Sequence, residues 1–213
     1  MQPSEETPPQ IPLLGHTNKI NHLEAVQNDV NRLFSCSNDC TLRQWSLENM
    51  GVCERVFKFQ DPVNVCKMDI QKGMIFAGCW DRQIRAIIFD TGVVDRAWLA
   101  GNSAIKSLHL HENWLFSGSC ESQIRAFDLD TGATKSYEGH ESWVNCMATY
   151  FVTDAEGNVT DTWLLSGSDD ATIRIWDMKT CKRLEKLQEH KNGVMCLALT
   201  SREKVCDSLY SGG

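Results

Sequence analysis

The sequence predicts an all-β protein assembled from repeated sheets, and three observations support this prediction. Four segments of twelve residues resemble one another and recur at intervals of 42, 40 and 49 residues. Within each unit, apolar and polar residues alternate with the two-residue period of a strand, not the 3.6-residue period of a helix. Turn-forming residues bound the apolar runs. Each repeat is therefore expected to supply one small sheet.

The repeated segments share a fixed order of residue types. They read SCSNDCTLRQWS from Ser35, AGCWDRQIRAII from Ala77, SGSCESQIRAFD from Ser117 and SGSDDATIRIWD from Ser166. Each has small residues first, then an acid, a branched apolar residue and an arginine. The acids are Asp39, Asp81, Glu121 and Asp170, and the branched residues are Leu42, Ile84, Ile124 and Ile173. A fourfold match of this length is not accidental, so the chain is a repeat protein.

The length of one repeat indicates what it builds. Asp90-Thr91-Gly92 and Asp130-Thr131-Gly132 fall at equivalent places and suit tight hairpins with glycine at positive φ. Four strands of about five residues, with their turns, account for about 40 residues, the size of one β-propeller blade. The longer fourth repeat contains an insertion around 150–161, which is expected to extend its first hairpin.

Dipeptides at both ends of the repeats carry a family resemblance. Gly15-His16 and Gly139-His140 open two repeats, and Trp176-Asp177 lies near the end of one. These features resemble the WD40-repeat family, whose repeats open on Gly-His and end near Trp-Asp. The other repeats match less well, through Trp45-Ser46, Phe127-Asp128 and Ile87-Ile88 at the end, and Phe59-Gln60 and Ala100-Gly101 where a histidine is missing. Incomplete hydrogen-bond networks are therefore expected in repeats two and three.

The resemblance implies a WD40-type β-propeller over residues 11–213, preceded by a disordered Pro/Glu-rich tail at 1–10. The expected blades span about 15–58, 59–99, 100–138 and 139–188, with a partial fifth at 189–213. The run from Ser208 matches the start of the Ser166 segment and stops before the next acid. The expected fold is an incomplete propeller of four blades plus a truncated fifth, a fragment of a longer propeller.

Repeat four contains a serine, a histidine and an aspartate, the residue types of a hydrolytic triad. Side-chain chemistry offers another arrangement, because an indole only donates, serine and neutral histidine both donate and accept, and aspartate only accepts. The resemblance implies such structural tetrads, comprising His140, Ser166, Asp170 and Trp176 in repeat four and His16, Ser35, Asp39 and Trp45 in repeat one. A catalytic triad would not recur with its own tryptophan. No catalytic residue is therefore predicted, and the protein is not expected to be an enzyme.

No metal site or cofactor site is predicted from the ten cysteines and the histidines. The closest cysteines are Cys36 and Cys40, and no second pair completes a zinc-ligand pattern. His109 and His111 share one strand face without a third ligand, so a solvent-facing pair is expected. The cysteines are expected to be reduced fillers of strands.

Charge and hydropathy narrow the classes of partner. The formal charge of −7 argues against general attraction to nucleic acids or anionic membranes. The longest apolar run, 194–199, is far short of the ~20 residues of a membrane helix. The first ten residues lack the basic start and apolar core of a signal peptide. No membrane association is predicted, nucleic acid binding is disfavoured but left open, and a cytoplasmic or nuclear location is expected.

The resemblance also implies where partners bind. Family members use the end of the propeller that carries the loop before each first strand and the turn before each acid. Mapped onto this sequence, the expected partner-binding face consists of Lys19, Asn21, Asn38, Asn64, Trp80, Lys106, Trp143, Asn145, Asp169 and Met195. Trp80 and Trp143 stand out, because neither falls at a repeated core position and tryptophan often dominates interfaces.

The predicted function is a non-catalytic scaffold that binds other proteins or peptides through this face. The alternative is a substrate-recognition or RNA-contacting subunit of a larger complex, for example a ubiquitin-ligase receptor whose other module lies outside this chain. Self-association through the open blade edge is a further expectation.

Overall fold

A computed structural model describes residues 12–26, 31–49, 51–202 and 205–212, so the predicted tail at 1–10 lies outside the described residues. Every regular element in these ranges is a strand. The strands are β1 (Ile20–Ala25), β2 (Arg32–Ser37), β3 (Thr41–Ser46), β4 (Val52–Lys58), β5 (Val63–Asp69), β6 (Met74–Cys79), β7 (Gln83–Ile88), β8 (Val94–Leu99), β9 (Ile105–His111), β10 (Trp114–Ser119), β11 (Ile124–Asp128), β12 (Thr134–Tyr137), β13 (Val144–Thr153), β14 (Val159–Ser168), β15 (Ile173–Asp177), β16 (Arg183–Leu187), β17 (Cys196–Arg202) and β18 (Val205–Gly212). No helix long and apolar enough to cross a membrane occurs in the described ranges.

The strands form four sheets of four strands and one of two strands, with consecutive strands paired antiparallel. Each four-stranded sheet is one repeat and is called a blade: β1–β4 form blade 1, β5–β8 blade 2, β9–β12 blade 3 and β13–β16 blade 4. The two-stranded sheet β17–β18 is the partial fifth. The predicted all-β class is confirmed, and the series of sheets remains open in the described part of the chain.

The first strands β1, β5, β9, β13 and β17 lie beside one another in this order around a common centre. Small residues allow the close approach between neighbouring blades. A Cβ atom on Gly118 of blade 3 would lie 2.8 Å from the carbonyl oxygen of Val144 in blade 4. Similarly, a Cβ on Gly167 would lie 2.6 Å from Val194 Cγ1. The small-residue clusters at the start of each repeated segment are therefore a packing requirement.

The repeated acids shape the turn between the second and third strands. The residue after each acid has a left-handed backbone although none is glycine, with φ from 62° to 69° at Cys40, Arg82, Ser122 and Ala171. The aspartates hold this turn, as where Asp170 Oδ1 accepts the backbone N–H of Thr172 at 2.9 Å. An Asx turn of this kind explains why aspartate recurs at this position in blades 1, 2 and 4.

The predicted hairpin turns and the insertion are also present. Gly92 and Gly132 both have φ of 74°, and the Gly92 amide donates to the Ile88 carbonyl at 2.8 Å. The insertion lengthens β13 and β14 to ten residues each, where Tyr150 stacks on Trp163 with ring centroids 5.8 Å apart. The inserted residues therefore extend the first hairpin of blade 4, as the sequence predicted.

Candidate partner-binding face

Blade 4 contains a closed hydrogen-bonded relay. Trp176 Nε1 donates to Ser166 Oγ at 2.8 Å, and Ser166 Oγ lies 2.7 Å from His140 Nε2. His140 Nδ1 lies 2.8 Å from Asp170 Oδ2. Burial lowers the pKa of His140, so the imidazole is neutral, accepts from the serine hydroxyl and donates to the carboxylate. Each polar atom in this chain of contacts has a partner.

Blade 1 repeats the same geometry. Trp45 Nε1 donates to Ser35 Oγ at 2.7 Å, and His16 bridges Ser35 at 2.6 Å and Asp39 at 2.8 Å. Burial raises the pKa of Asp39, but hydrogen bonds from Thr41 and His16 outweigh it and hold that pKa far below its usual range. In both blades, the serine hydroxyl is covered by an indole, and Ser166 has no exposed surface. In this geometry the serine holds the tetrad together by hydrogen bonds, and it does not face a substrate as a nucleophile would.

Blades 2 and 3 lack this relay. In blade 2, Arg85 forms two hydrogen bonds with Asp81, one of them 3.2 Å long. In blade 3, Ser117 Oγ donates to the Arg125 carbonyl at 3.4 Å and has no histidine or tryptophan beside it. Their networks are therefore incomplete, in agreement with the expectation from the weaker repeat signatures.

The candidate face carries exposed apolar side chains. Trp80, Trp143 and Met195 are 50%, 40% and 55% exposed. Lys106 Nζ lies 5.2 Å from the ring centroid of Trp143, a cation–π arrangement. The backbone amide of Trp80 donates to the Pro62 carbonyl at 3.0 Å, which fixes its turn against the loop that enters β5.

Six of the ten candidate residues line one cavity of about 370 Å³ at the centre of the blades. They are Lys19, Asn21, Asn64, Lys106, Asn145 and Met195. Asn38 and Asp169 adjoin the cavity, because each accepts a hydrogen bond from an asparagine of its wall. Trp143 adjoins it through Lys106, whereas Trp80 is not part of its wall.

The asparagines of this set join neighbouring blades. Asn64 is 9% exposed, and its amide donates to the Ile105 carbonyl of blade 3 at 2.7 Å. The equivalent amides also donate to the next blade, Asn21 to the Val63 carbonyl at the start of β5 at 3.0 Å and Asn145 to the Val194 carbonyl just before β17 at 3.1 Å. These amides therefore join neighbouring blades, and their role in partner contact stays a prediction.

Two titratable residues expected to face solvent are packed between blades. His109 lies against Thr149, and the His111 ring is 5.6 Å from that of Phe151. Burial, with nearby Lys67 and His111, lowers the pKa of His109 to about 3. The expectation of a solvent-facing pair was wrong, because β13 of blade 4 covers this side of β9.

The repeats with complete tetrads are also those that match a known family model. Residues 8–46 and 132–177 match the family model of the WD40 repeat, described as WD domain, G-beta repeat. These two segments are similar to the WD40 repeat, as the sequence analysis predicted. The two matched segments contain the two complete tetrads, which agrees with the weaker signatures of blades 2 and 3.

A solved structure shows the same WD40 fold. The chain is similar to the crystal structure of the WD40 beta propeller domain of Doa1, with a TM-score of 0.73 and 20% sequence identity. The match covers 88% of this chain and 59% of that one, so the chain spans little more than half of the related domain. A comparison with curated proteins gives no match. WD40 propellers generally serve as scaffolds that bind other proteins or peptides.

Sequence reasoning missed three residues that line the central cavity. His22 and Lys67 line the central cavity, and Lys67 Nζ lies 2.7 Å from Glu24 Oε2. Ser107 donates to the Val144 carbonyl at 2.8 Å and takes over the blade-joining bond where Lys106 replaces the asparagine. The spacing of the first strands was the available signal, since Ser107 lies one residue beyond the asparagine position.

Proposed function

We propose that this WD40 chain is a non-catalytic scaffold whose central face binds a protein or peptide partner. The central face is defined here as Lys19, Trp80, Lys106, Trp143 and Met195. The observation that carries the proposal is Trp143, which is 40% exposed and held beneath Lys106 beside the central cavity. An exposed tryptophan next to a depression is the kind of anchor on which interfaces depend.

The absence of catalysis is proposed from what surrounds the serines. Ser166 Oγ accepts from Trp176 and contacts His140, so an attacking geometry would first require the tetrad to break. Ser35 is in the same position in blade 1. Because the same four residue types occur twice, 10 residues separating serine from tryptophan each time, a shared structural role accounts for both copies.

The charge of the central face supports a protein partner. Lys19 and Lys106 contribute positive charge around the cavity in a chain whose formal charge is −7. Complementary charge raises association rates and selects partners more than it adds affinity. The exposed tryptophans and Met195 supply the apolar area.

Affinity purification with quantitative mass spectrometry tests this proposal. The wild-type chain is compared with Trp143→Ala and Lys106→Glu, and with Leu184→Ala as the control. Leu184 is 49% exposed on β16 and lies outside the central face. A partner retained by wild type and control should fall by about tenfold or more with Trp143→Ala, since a hot-spot truncation exceeds 1.4 kcal/mol.

Two results would count against the scaffold. Retention of the partner in all three variants would place binding elsewhere. Recovery of RNA with steep salt dependence would favour an RNA-contacting subunit instead. A location in the cytoplasm or nucleus stays a prediction from the sequence.

A further inference from the structure

The fourth strand of each blade packs one large side chain against the third strand of the next blade. Tyr137 contacts Trp176 with ring centroids 5.9 Å apart, and Trp98 contacts Phe127 at 5.8 Å. The equivalent residue of blade 1 is Phe57, which sits opposite Leu42 as Trp98 sits opposite Ile84.

Between blades 1 and 2 this contact has one aromatic ring fewer. Phe57 packs in the same buried cluster as Ile87, which replaces the tryptophan of the complete repeats. An isoleucine fills less of the space between the outer parts of two blades than a tryptophan does. The interface is consequently underfilled at this position.

The missing Gly-His of blade 2 enlarges the same space. In blade 4, Gly139 lies against the indole, and a Cβ placed there would be 3.3 Å from Trp176 Cη2. Phe59-Gln60 occupies this region of blade 2, with Phe59 turned to Arg85 at 5.9 Å. The result is a cleft of about 740 Å³ between β4 and the β7–β8 hairpin, within the size range of ligand sites.

The walls of this cleft combine apolar and basic groups. Phe57 and Ile87 are buried at its base, while Val56 and Val94 are 42% and 46% exposed along its rim. Three cations also line the cleft, namely Arg55, Lys58 and Arg85. None of the described residues in its lining carries a carboxylate.

The three cations differ in how far they are neutralised. Arg85 is paired with Asp81, whereas the Arg55 guanidinium donates to the backbone carbonyls of Phe89 and Asp90. Lys58 has no ion pair within the described part of the chain. In a chain with a formal charge of −7, the cleft is a local site that favours anionic groups.

We propose that this cleft, the blade 1–2 cleft, binds a short extended peptide with a large apolar side chain flanked by acidic residues. The apolar side chain packs on the exposed Val56 and Val94 and on the accessible edge of Phe57, above the buried Ile87. The carboxylates face Lys58 and Arg55. The cleft is separate from the central face, so its occupancy does not depend on the proposed scaffold surface.

The strand arrangement favours an extended peptide. β4 and β8 are the last strands of their sheets in the described part, so one backbone edge of each has no strand partner. Such an edge provides hydrogen bonds to an extended backbone, while pockets select its side chains. An acidic and apolar peptide therefore matches both the backbone and the side chains of the cleft.

Fluorescence anisotropy with the full 213-residue chain tests the proposal. The probe is a fluorescein-labelled peptide of sequence Gly-Asp-Leu-Phe-Asp-Glu-Gly. Two comparison peptides replace either the Leu-Phe pair by alanines or the acids by lysines, and neither should bind. Lys58→Glu and Val94→Glu should each weaken binding by about tenfold or more, because each places a carboxylate against the peptide's own acids.

Matched control variants separate the cleft from general effects of charge. Val93 is the neighbour of Val94, is 58% exposed and does not line the cleft, so Val93→Glu should leave affinity within about twofold. Lys182→Glu makes the same charge change as Lys58→Glu on exposed surface of blade 4. Trp143→Ala should also leave peptide affinity unchanged, which distinguishes this site from the central face.

Several results would overturn the proposal. They are absence of saturable binding of the acidic peptide, tighter binding of the lysine peptide, or equal losses in the Val93 and Val94 variants. Lys58-dependent binding to vesicles containing phosphatidylserine, without binding of the peptide, would assign the cleft to anionic lipid and overturn it as well.

Discussion

Removing the serine of one tetrad should destabilise the chain much more than removing the equivalent serine of a blade without a tetrad. Ser166 and Ser117 occupy the same place in their repeats and are 0% and 1% exposed. Ser166→Ala and Ser117→Ala therefore delete the same buried atom. Blade 2 carries Ala77 at this position with no exposed surface, so alanine itself fits the fold.

The expected difference follows from the bonds that are lost. Ser166→Ala leaves the Trp176 indole N–H and His140 Nε2 buried without their partner, at about 1–3 kcal/mol each, so about 2–6 kcal/mol in total. Ser117→Ala removes one 3.4 Å bond to a backbone carbonyl, which costs about 1 kcal/mol or less. We expect the two variants to differ by at least about 1 kcal/mol in the free energy of unfolding.

Equilibrium urea unfolding, followed by circular dichroism, measures this difference. The two variants should show similar slopes and different midpoints, because they bury the same surface. Equal midpoints would refute the reasoning that the tetrad serine satisfies two buried groups. A midpoint for Ser166→Ala above that of the wild type would mean that the relay does not stabilise the blade at all.

Three further predictions concern the blades themselves. Burial lowers the pKa of His140, and it lowers the pKa of His109 to about 3, so both histidines are neutral in the folded chain. Stability should therefore fall as the pH drops below the unfolded pKa of about 6.5, which would be seen as a lower urea midpoint. Ala171→Gly should raise the free energy of unfolding by about 0.5 kcal/mol, since glycine adopts φ of 62° without strain, and a lower midpoint would contradict this. Gly118→Ala should lower the free energy of unfolding by about 1–3 kcal/mol, because it forces a methyl group against a backbone carbonyl. The control Gly101→Ala, whose nearest contact is at 3.4 Å, should change it by no more than about 0.5 kcal/mol. Equal losses in the two variants would show that the blades can separate slightly.

The strands and the tetrads could be predicted because their signals lie within one repeat. Trp176 and Ser166 are 10 residues apart in sequence, and their donor and acceptor roles fix how they pair. The turn after each acid could also have been found from sequence, since Asp170 is followed by a residue that must accept a left-handed backbone. The absence of glycine there concealed the signal.

Contacts between blades could not be predicted in the same way. Asn64 bonds to Ile105, 41 residues away, and Ser107 bonds to Val144, 37 residues away. Such pairs depend on how closely neighbouring sheets pack, and the spacing of the first strands marks the positions without identifying their partners. For that reason, the sequence placed His109 in solvent, whereas it lies against a neighbouring blade, and it gave no sign that Asn64 joins two blades.

Blade 2, which has the weakest repeat signature, also lacks most of the residues of the structural tetrad. Blade 2 has Ala77 where the tetrad needs an acceptor and Ile87 where it needs an indole, so the loss of the histidine takes a partner from neither position. The substitutions therefore remove the whole tetrad and not a single member of it, and a cleft lies beside Phe57. Residues that do not belong to a tetrad can vary with function. We therefore expect blade 2 to contribute more to the binding specificity of this chain than blades 1 and 4, which match the family model.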